Sequence, residues 1–72
     1  MSNEHKTLTI TERDKIEIAF QDAKDMGEDF DTALDWAADE LTDERDGDNT
    51  WQSIAMWVQI REIGEDVWDD FS

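Results

Sequence analysis

The sequence predicts an all-α domain: a compact bundle of three to four helices, with a short extended strap at its N-terminal side. Apolar residues recur at helical spacing along most of the chain, and proline is absent. Each of the three glycines falls at the expected end of a helix, where a left-handed backbone is often needed. A chain of 72 residues forms one small domain with a thin margin of stability.

Residues 1–10 are predicted to be a polar tail followed by an alternating Thr-Leu-Thr-Ile, which is either an extended segment or the entry to a helix. The preferred prediction is an extended strap that lays Leu8 and Ile10 on the core. The first helix is predicted over residues 12–26, and Gly27 ends it. Its apolar face follows the i, i+3, i+4, i+7 pattern and consists of Ile16, Ala19, Phe20 and Ala23.

The second helix, over residues 30–44, has the most regular apolar stripe in the chain. Asp35, Asp39 and Asp43 lie on its other face at four-residue intervals, which places neighbouring carboxylates about 6 Å apart along the axis. Like charges at this spacing oppose helix formation. The stripe comprises Phe30, Ala33, Leu34, Ala37, Ala38 and Leu41.

The third helix is predicted over residues 50–63, ending near Gly64, and a short last helix over residues 65–71. The segment 49–60 carries no charge, and its helical wheel is apolar on both sides, which is typical of a buried helix. If the other helices do not cover both sides, the side formed by Met56, Trp57 and Ile60 becomes a dimer or partner surface.

Side chains able to accept hydrogen bonds from the first free backbone N–H groups precede each helix. Glu12 and Asp14 are placed to complement the positive end of the first helix. The candidate N-caps are Thr9 or Thr11 for the first helix, Asp29 or Asp31 for the second, and Asp48, Asn49 or Thr50 for the third.

Net charge limits the kind of partner. There are 21 acidic and 6 basic residues, a net charge of −15, and residues 22–48 alone carry twelve acids and two bases. This sign excludes direct nucleic-acid binding by phosphate neutralisation and disfavours anionic membranes. The remaining roles are contact with a basic partner, cation binding and solvation.

Other classes of function are excluded by what the sequence lacks. There is no cysteine, and His5 is the one histidine, so neither a zinc site nor a nucleophile with its base is available. Aligning Gly47 with the invariant glycine of a calcium loop puts Thr42 and Ser53 at the two anchor positions, which require acids. We expect no enzyme, metal or cofactor. The absence of an apolar run long enough for a membrane span or signal peptide predicts a cytoplasmic protein.

Trp36 lies away from the stripe of the second helix, among acidic residues. One interpretation is that it packs under the N-terminal strap or the last turn of the chain. The other is that it is an exposed aromatic anchor ringed by carboxylates, a composition typical of binding hot spots. Ile18, an apolar exception on the outward face of the first helix, has the same two interpretations, and packing is the favoured one.

The density of carboxylates in residues 22–48 approaches the charge density of duplex DNA. Holding these charges uncompensated on helices opposes stability, so a DNA-like surface aimed at a basic protein explains why they are retained. The predicted partner interface is Asp25, Glu28, Asp35, Trp36, Asp39, Glu40, Asp43 and Glu44.

In character the chain resembles the small acidic anti-CRISPR proteins encoded by phages. The resemblance lies in its short length, its lack of cysteine, its helical pattern and the run DAKDMGEDFDTALDWAADELTDERDGD. Several inhibitors of type I systems occupy the DNA-binding groove of the surveillance complex, Cascade, so the resemblance implies a DNA mimic that blocks target recognition. Inhibitors of DNA-repair and restriction enzymes share this logic. The resemblance supplies no motif, and no functional residue is transferred from it.

Two other interpretations stay open. A halophile-type acidic helical domain would use the charge for solubility and make its contacts through apolar residues. An acidic disordered segment would show no cooperative melting. The sequence leaves the oligomeric state open between a monomer and a homodimer.

Overall fold

Three α-helices form an elongated bundle in the computed structural model of the chain, which describes residues 8–70. The helices are α1 (Ile10–Asp25), α2 (Phe30–Glu44) and α3 (Ile54–Asp70). The bundle measures 40 × 20 × 20 Å. The prediction of an all-α bundle is confirmed with three helices, and residues 8–70 contain no strand. None of these helices has the length and apolar character required to cross a membrane.

The N-terminus of α1 is a capping box. Thr9 Oγ1 accepts a hydrogen bond from the Glu12 backbone N–H at 3.1 Å, and Glu12 Oε1 accepts one from the Thr9 N–H at 3.0 Å. At the other end Gly27 has φ +82°, the left-handed conformation predicted for it. Residues 1–7 of the predicted strap lie outside the described residues. Leu8 is buried, but Ile10 opens α1 and is 82% exposed, so its predicted packing against the core is wrong.

The second helix begins at a cap that the sequence predicts. Asp29 accepts a hydrogen bond from the Thr32 backbone N–H at 2.9 Å, and this bond lowers the pKa of the Asp29 carboxyl. Ala33, Ala37 and Leu41 form its fully buried row. The small alanine side chains allow the α2 backbone to approach its neighbours closely.

The third helix differs from the prediction at both ends. It begins at Ile54, where Ser53 Oγ accepts from the Met56 N–H at 3.3 Å, and it continues unbroken through Gly64 to Asp70. The predicted caps act earlier: Asp48 Oδ1 accepts from the Thr50 N–H and hydroxyl, which forms a turn before the helix. The predicted break and separate last helix over residues 65–70 are therefore wrong, and Phe71 lies outside the described residues.

Gly64 is buried inside α3 because of its neighbour in space. A Cβ atom built on Gly64 would overlap ring atoms of Phe20 on α1. The glycine thus serves close approach of two helices and not helix termination. A helix-interior glycine is otherwise unfavourable by about 1 kcal/mol relative to alanine, which explains why the sequence pattern suggests a break.

Long-range contacts fix the helix directions. Glu12 at the start of α1 contacts Arg45 just after α2, and the Leu8 N–H donates to Gln59 near the start of α3 at 3.4 Å. At the opposite end Trp68 of α3 packs edge-on against Phe30 of α2. The bundle therefore runs up, down and up, with α2 antiparallel to both other helices.

The side of α3 that faces the core is the one formed by Met56, Trp57 and Ile60, which the sequence left open between core and interface. Met56 and Ile60 are fully buried, and Trp57 is half-buried and packs against the core. The prediction of a buried helix is therefore confirmed on this side, and the alternative of a dimer or partner surface does not apply to it. Ile54 and Val58 on the other side are 85% and 44% exposed. The buried apolar residues are Leu8, Ile16, Ala19, Phe20, Ala23, Ala33, Ala37, Leu41, Trp51, Met56, Ile60, Ile63 and Val67.

Candidate functional site

The outward face of α2 concentrates uncompensated negative charge. This helix carries six acids and no lysine or arginine. Within residues 8–70 none of its acids forms an ion pair. Five of the six are exposed and Glu40 is half-buried, so their charge faces solvent. They are Asp31, Asp35, Asp39, Glu40, Asp43 and Glu44.

An open groove of about 390 Å³ lies between α1 and α2. It brings together three of the predicted interface residues, Trp36, Asp39 and Glu40. The α1 side of the groove consists of Ile18, Ala19 and Asp22. We call these six residues the α1–α2 groove. We call its apolar part (Ile18, Ala19 and Trp36) the floor and its three carboxylates the rim. Among the described residues no base lines it.

Trp36 is the aromatic side chain of this groove. It is half-buried and packs against the edge of the core, so it is neither fully exposed nor enclosed. The described groove residues beside it belong to α1, not to the end of α3. Within residues 8–70 it makes no ring stacking, no cation–π contact and no side-chain hydrogen bond. Its accessible surface is therefore available to a partner.

Ile18, Ala19 and Asp22 are the groove residues that the sequence did not assign to the interface. Ile18 was expected to pack against the core but is 52% exposed. The available signal was the spacing: positions 18 and 22 are one helical turn apart, on the side of α1 that its apolar face does not occupy.

The remaining predicted interface residues fall into two places. Asp43, with Asp39 and Glu40, lines a second depression that continues toward the α2–α3 loop. Asp35 and Glu44 are exposed on α2 but line neither depression. Asp25 and Glu28 are exposed at the turn between α1 and α2, roughly 20 Å from the far end of α2. Of the eight residues, the two depressions therefore bring together Trp36, Asp39, Glu40 and Asp43.

Arg45, the base closest in sequence to these acids, is turned inward. Its Nε donates to Glu12 Oε2 at 2.6 Å and its Nη2 donates to Glu12 Oε1 at 2.9 Å. The side chains of Arg45 and Glu12 are only 13% and 8% exposed. The hydrogen bonds from Arg45 are the main reason that the pKa of Glu12 is lowered, and they raise the pKa of Arg45.

The ion pair with Arg45 distinguishes Glu12 from the other acidic residues that the structure describes. Glu12 is the one buried charged residue of the described part of the chain. Because Arg45 points toward Glu12, the end of α2 keeps its negative surface. The sequence predicts that Glu12 complements the positive end of α1, but a partner 33 residues away leaves no local signal.

A second acidic groove lies between α1 and α3, on another side of the bundle. Its polar lining includes acidic residues near the C-terminal end of α3, with Arg13 as its basic residue. This groove is thus partly neutralised, unlike the α1–α2 groove. Its acids are Glu17, Asp66, Asp69 and Asp70.

Residues 8–70 contain no cluster of three or more histidine, aspartate or glutamate side chains arranged to hold a metal ion. Comparisons of the chain with protein-family models, curated proteins and solved structures give no match. The geometry and charge of the α2 surface are therefore the features from which a function is inferred.

Proposed function

We propose that the protein is a DNA-mimic inhibitor, which binds the basic DNA-binding site of another protein through the acidic surface of α2. The role is binding and not catalysis. The observation that supports it is the row of carboxylates on α2, held on one rigid helix without a base. A basic groove that normally holds phosphates presents lysine and arginine side chains that match such a row.

The packing adds to this argument. The buried row of alanines and Leu41 fixes the orientation of α2, so its other face is held in place before a partner binds. A surface that is already ordered loses less conformational entropy on binding. The inward position of Arg45 leaves the acidic surface without its nearest counterion.

For the target we propose a type I CRISPR surveillance complex, in which the protein would block recognition of target DNA. This narrower assignment rests on the resemblance in size, charge and helical character to anti-CRISPR proteins. The protein would act in the cytoplasm of the host cell, where such complexes work. Because its negative charge speeds association with a basic target, the association rate should depend strongly on salt concentration.

The test is binding to a purified surveillance complex at increasing salt, with duplex target DNA as competitor. We expect affinity to fall steeply from about 50 to 200 mM salt, since exposed charges are increasingly screened. The triple variant D35N/D39N/D43N should bind at least about tenfold more weakly, equivalent to roughly 1.4 kcal/mol.

A variant with the same change in net charge, E62Q/E65Q/D69N on α3, is the matched control. It should weaken binding less, because the interface is assigned to α2. Equal losses in both variants would show that charge acts without a specific face. Salt-independent binding, or a triple α2 variant within about twofold of wild type, would overturn the proposal.

A further inference from the structure

We propose that the α1–α2 groove is the socket for one arginine side chain of the basic partner, with the guanidinium over Trp36 and between the groove carboxylates. This inference rests on the proposed function and deepens it. It names a specific contact within a surface that otherwise attracts a partner through its overall charge.

The floor of the groove suits the flat, weakly hydrated face of a guanidinium. Trp36 presents an indole, the aromatic ring that attracts cations best. Ile18, with half of its surface exposed, offers apolar contact to the methylene stem of a long side chain. Ala19 between them is small and leaves the space open.

The rim supplies the opposite charge. Asp22 comes from α1, and Asp39 and Glu40 come from α2, so carboxylates flank the floor from two helices. Within the described residues no base lines this groove, and none of the three acids is ion-paired. A cation entering from a partner therefore meets no internal competitor.

Trp68 is a second indole for comparison, and the cation beside it comes from the same chain. Lys24 Nζ lies 4.7 Å from the centre of the Trp68 ring, within the usual range for a cation–π contact. Trp36 has a half-buried indole and adjacent carboxylates but lacks such a cation among residues 8–70. An incoming side chain from a partner would supply it.

Arginine fits better than lysine for geometric reasons. Its guanidinium is planar, so it can stack on the indole while its edge donates two hydrogen bonds to a carboxylate. An ammonium group is more strongly hydrated and forms point contacts. The floor and rim lie side by side in this groove, which favours the planar group.

The first experiment follows the four indole N–H signals of the full-length protein by ¹H–¹⁵N NMR during titration with nona-arginine and, separately, nona-lysine. The Trp36 signal is assigned from the variant W36F. At about 150 mM salt, where long-range attraction is screened, nona-arginine should shift the Trp36 signal most. Nona-lysine should shift it less than half as much. Equal shifts from the two peptides, or a Trp36 signal that does not move, would overturn the proposal.

The second experiment compares I18K with I54K by calorimetric titration with nona-arginine. Both variants add one positive charge at an exposed apolar position, but only I18K places an ammonium in the groove. We expect I18K to bind about tenfold more weakly than I54K, equivalent to roughly 1.4 kcal/mol. Equal affinities would show that net charge alone governs binding. A thermal melt checks that each variant is folded, and the wild-type NMR titration stands if I18K is not.

The same pair separates this inference from the proposed function. If I18K binds a surveillance complex as tightly as I54K while D35N/D39N/D43N loses affinity, the socket is wrong and the acidic interface stands. If none of the variants changes binding to the complex, the proposed function itself is wrong.

Discussion

The two ends of the bundle are held together by different physical means. The end where α1 and α3 begin has one aromatic pair, Trp51 and Trp57 with ring centres 5.3 Å apart, and three polar contacts. These are the Glu12–Arg45 ion pair, the Thr9 capping box, and the Trp51 indole donating to Thr42 Oγ1 at 3.0 Å. At the opposite end aromatic rings predominate. Phe20 stacks on Phe30 at 5.6 Å, and Trp68 packs edge-on against both rings.

This difference indicates how each end responds to change. An aromatic cluster is sensitive to volume and insensitive to pH, because its stability comes from burial and close packing. A buried ion pair depends on the protonation of its carboxylate, and losing one partner leaves the other charge uncompensated. The outer face of α2 runs between the two ends, and neither the aromatic cluster nor the ion pair stabilises it.

The largest effect is expected at the aromatic end, from Gly64→Val. The added atoms overlap the Phe20 ring, and overpacking of this kind destabilises by about 3 kcal/mol at its upper range. Urea unfolding followed by circular dichroism measures the change. The control is the same substitution in a Phe20→Leu background, where the smaller side chain should recover part of the loss. An equal loss in both backgrounds would show that the overlap with Phe20 is not the cause.

Gly64 also shows where sequence analysis of the fold is limited. The periodicity of the apolar residues predicts three helical regions correctly, because burial repeats every three to four residues whatever the partner. A glycine has the same local signature at a helix end and at a helix–helix contact. Only the position of Phe20, 44 positions earlier in the chain, distinguishes them.

A smaller effect is expected at the polar end, from Glu12→Gln. The substitution leaves the largely buried Arg45 guanidinium without its carboxylate, which should cost about 2 kcal/mol at neutral pH. Glu17→Gln, at an exposed position on the same helix, is the control and should change stability by less than about 0.5 kcal/mol. Equal changes in the two variants would contradict the importance of the ion pair.

The pH dependence of this difference gives an independent check. Arg45 lowers the pKa of Glu12 in the folded state, so the unfolded state binds its proton first as pH falls. The extra stability of wild type over Glu12→Gln is therefore complete above the unfolded pKa of about 4.3 and lost as pH falls through the lower folded pKa. Stability curves of the two proteins should converge on acidification. A constant gap would mean that the charge of Glu12 contributes nothing.

The candidate site was predictable to a similar extent. The acidic row at positions 35, 39 and 43 follows from helical spacing alone, and the exposure of these residues agrees with it. The groove around Trp36 required a second helix, because Ile18 and Asp22 reach it only through the packing of α1 on α2. Likewise, the inward turn of Arg45 depends on Glu12 and has no local signature.

The smallest effect is expected on the face that joins the two ends, from D35N/D39N/D43N. The substitutions relieve three repulsive i, i+4 pairs (31/35, 35/39 and 39/43), so the protein should become more stable by a few tenths of a kcal/mol for each pair. The gain should be largest in low-salt buffer and shrink toward 1 M salt, where the screening length is about 3 Å. Thermal melting at several salt concentrations measures it. A surface kept for binding predicts that wild type is folded in ordinary buffer and that these substitutions stabilise it while weakening affinity. A halophile-type surface predicts instead that wild type needs molar salt to fold. In that case removing the charges would not raise stability at the expense of affinity.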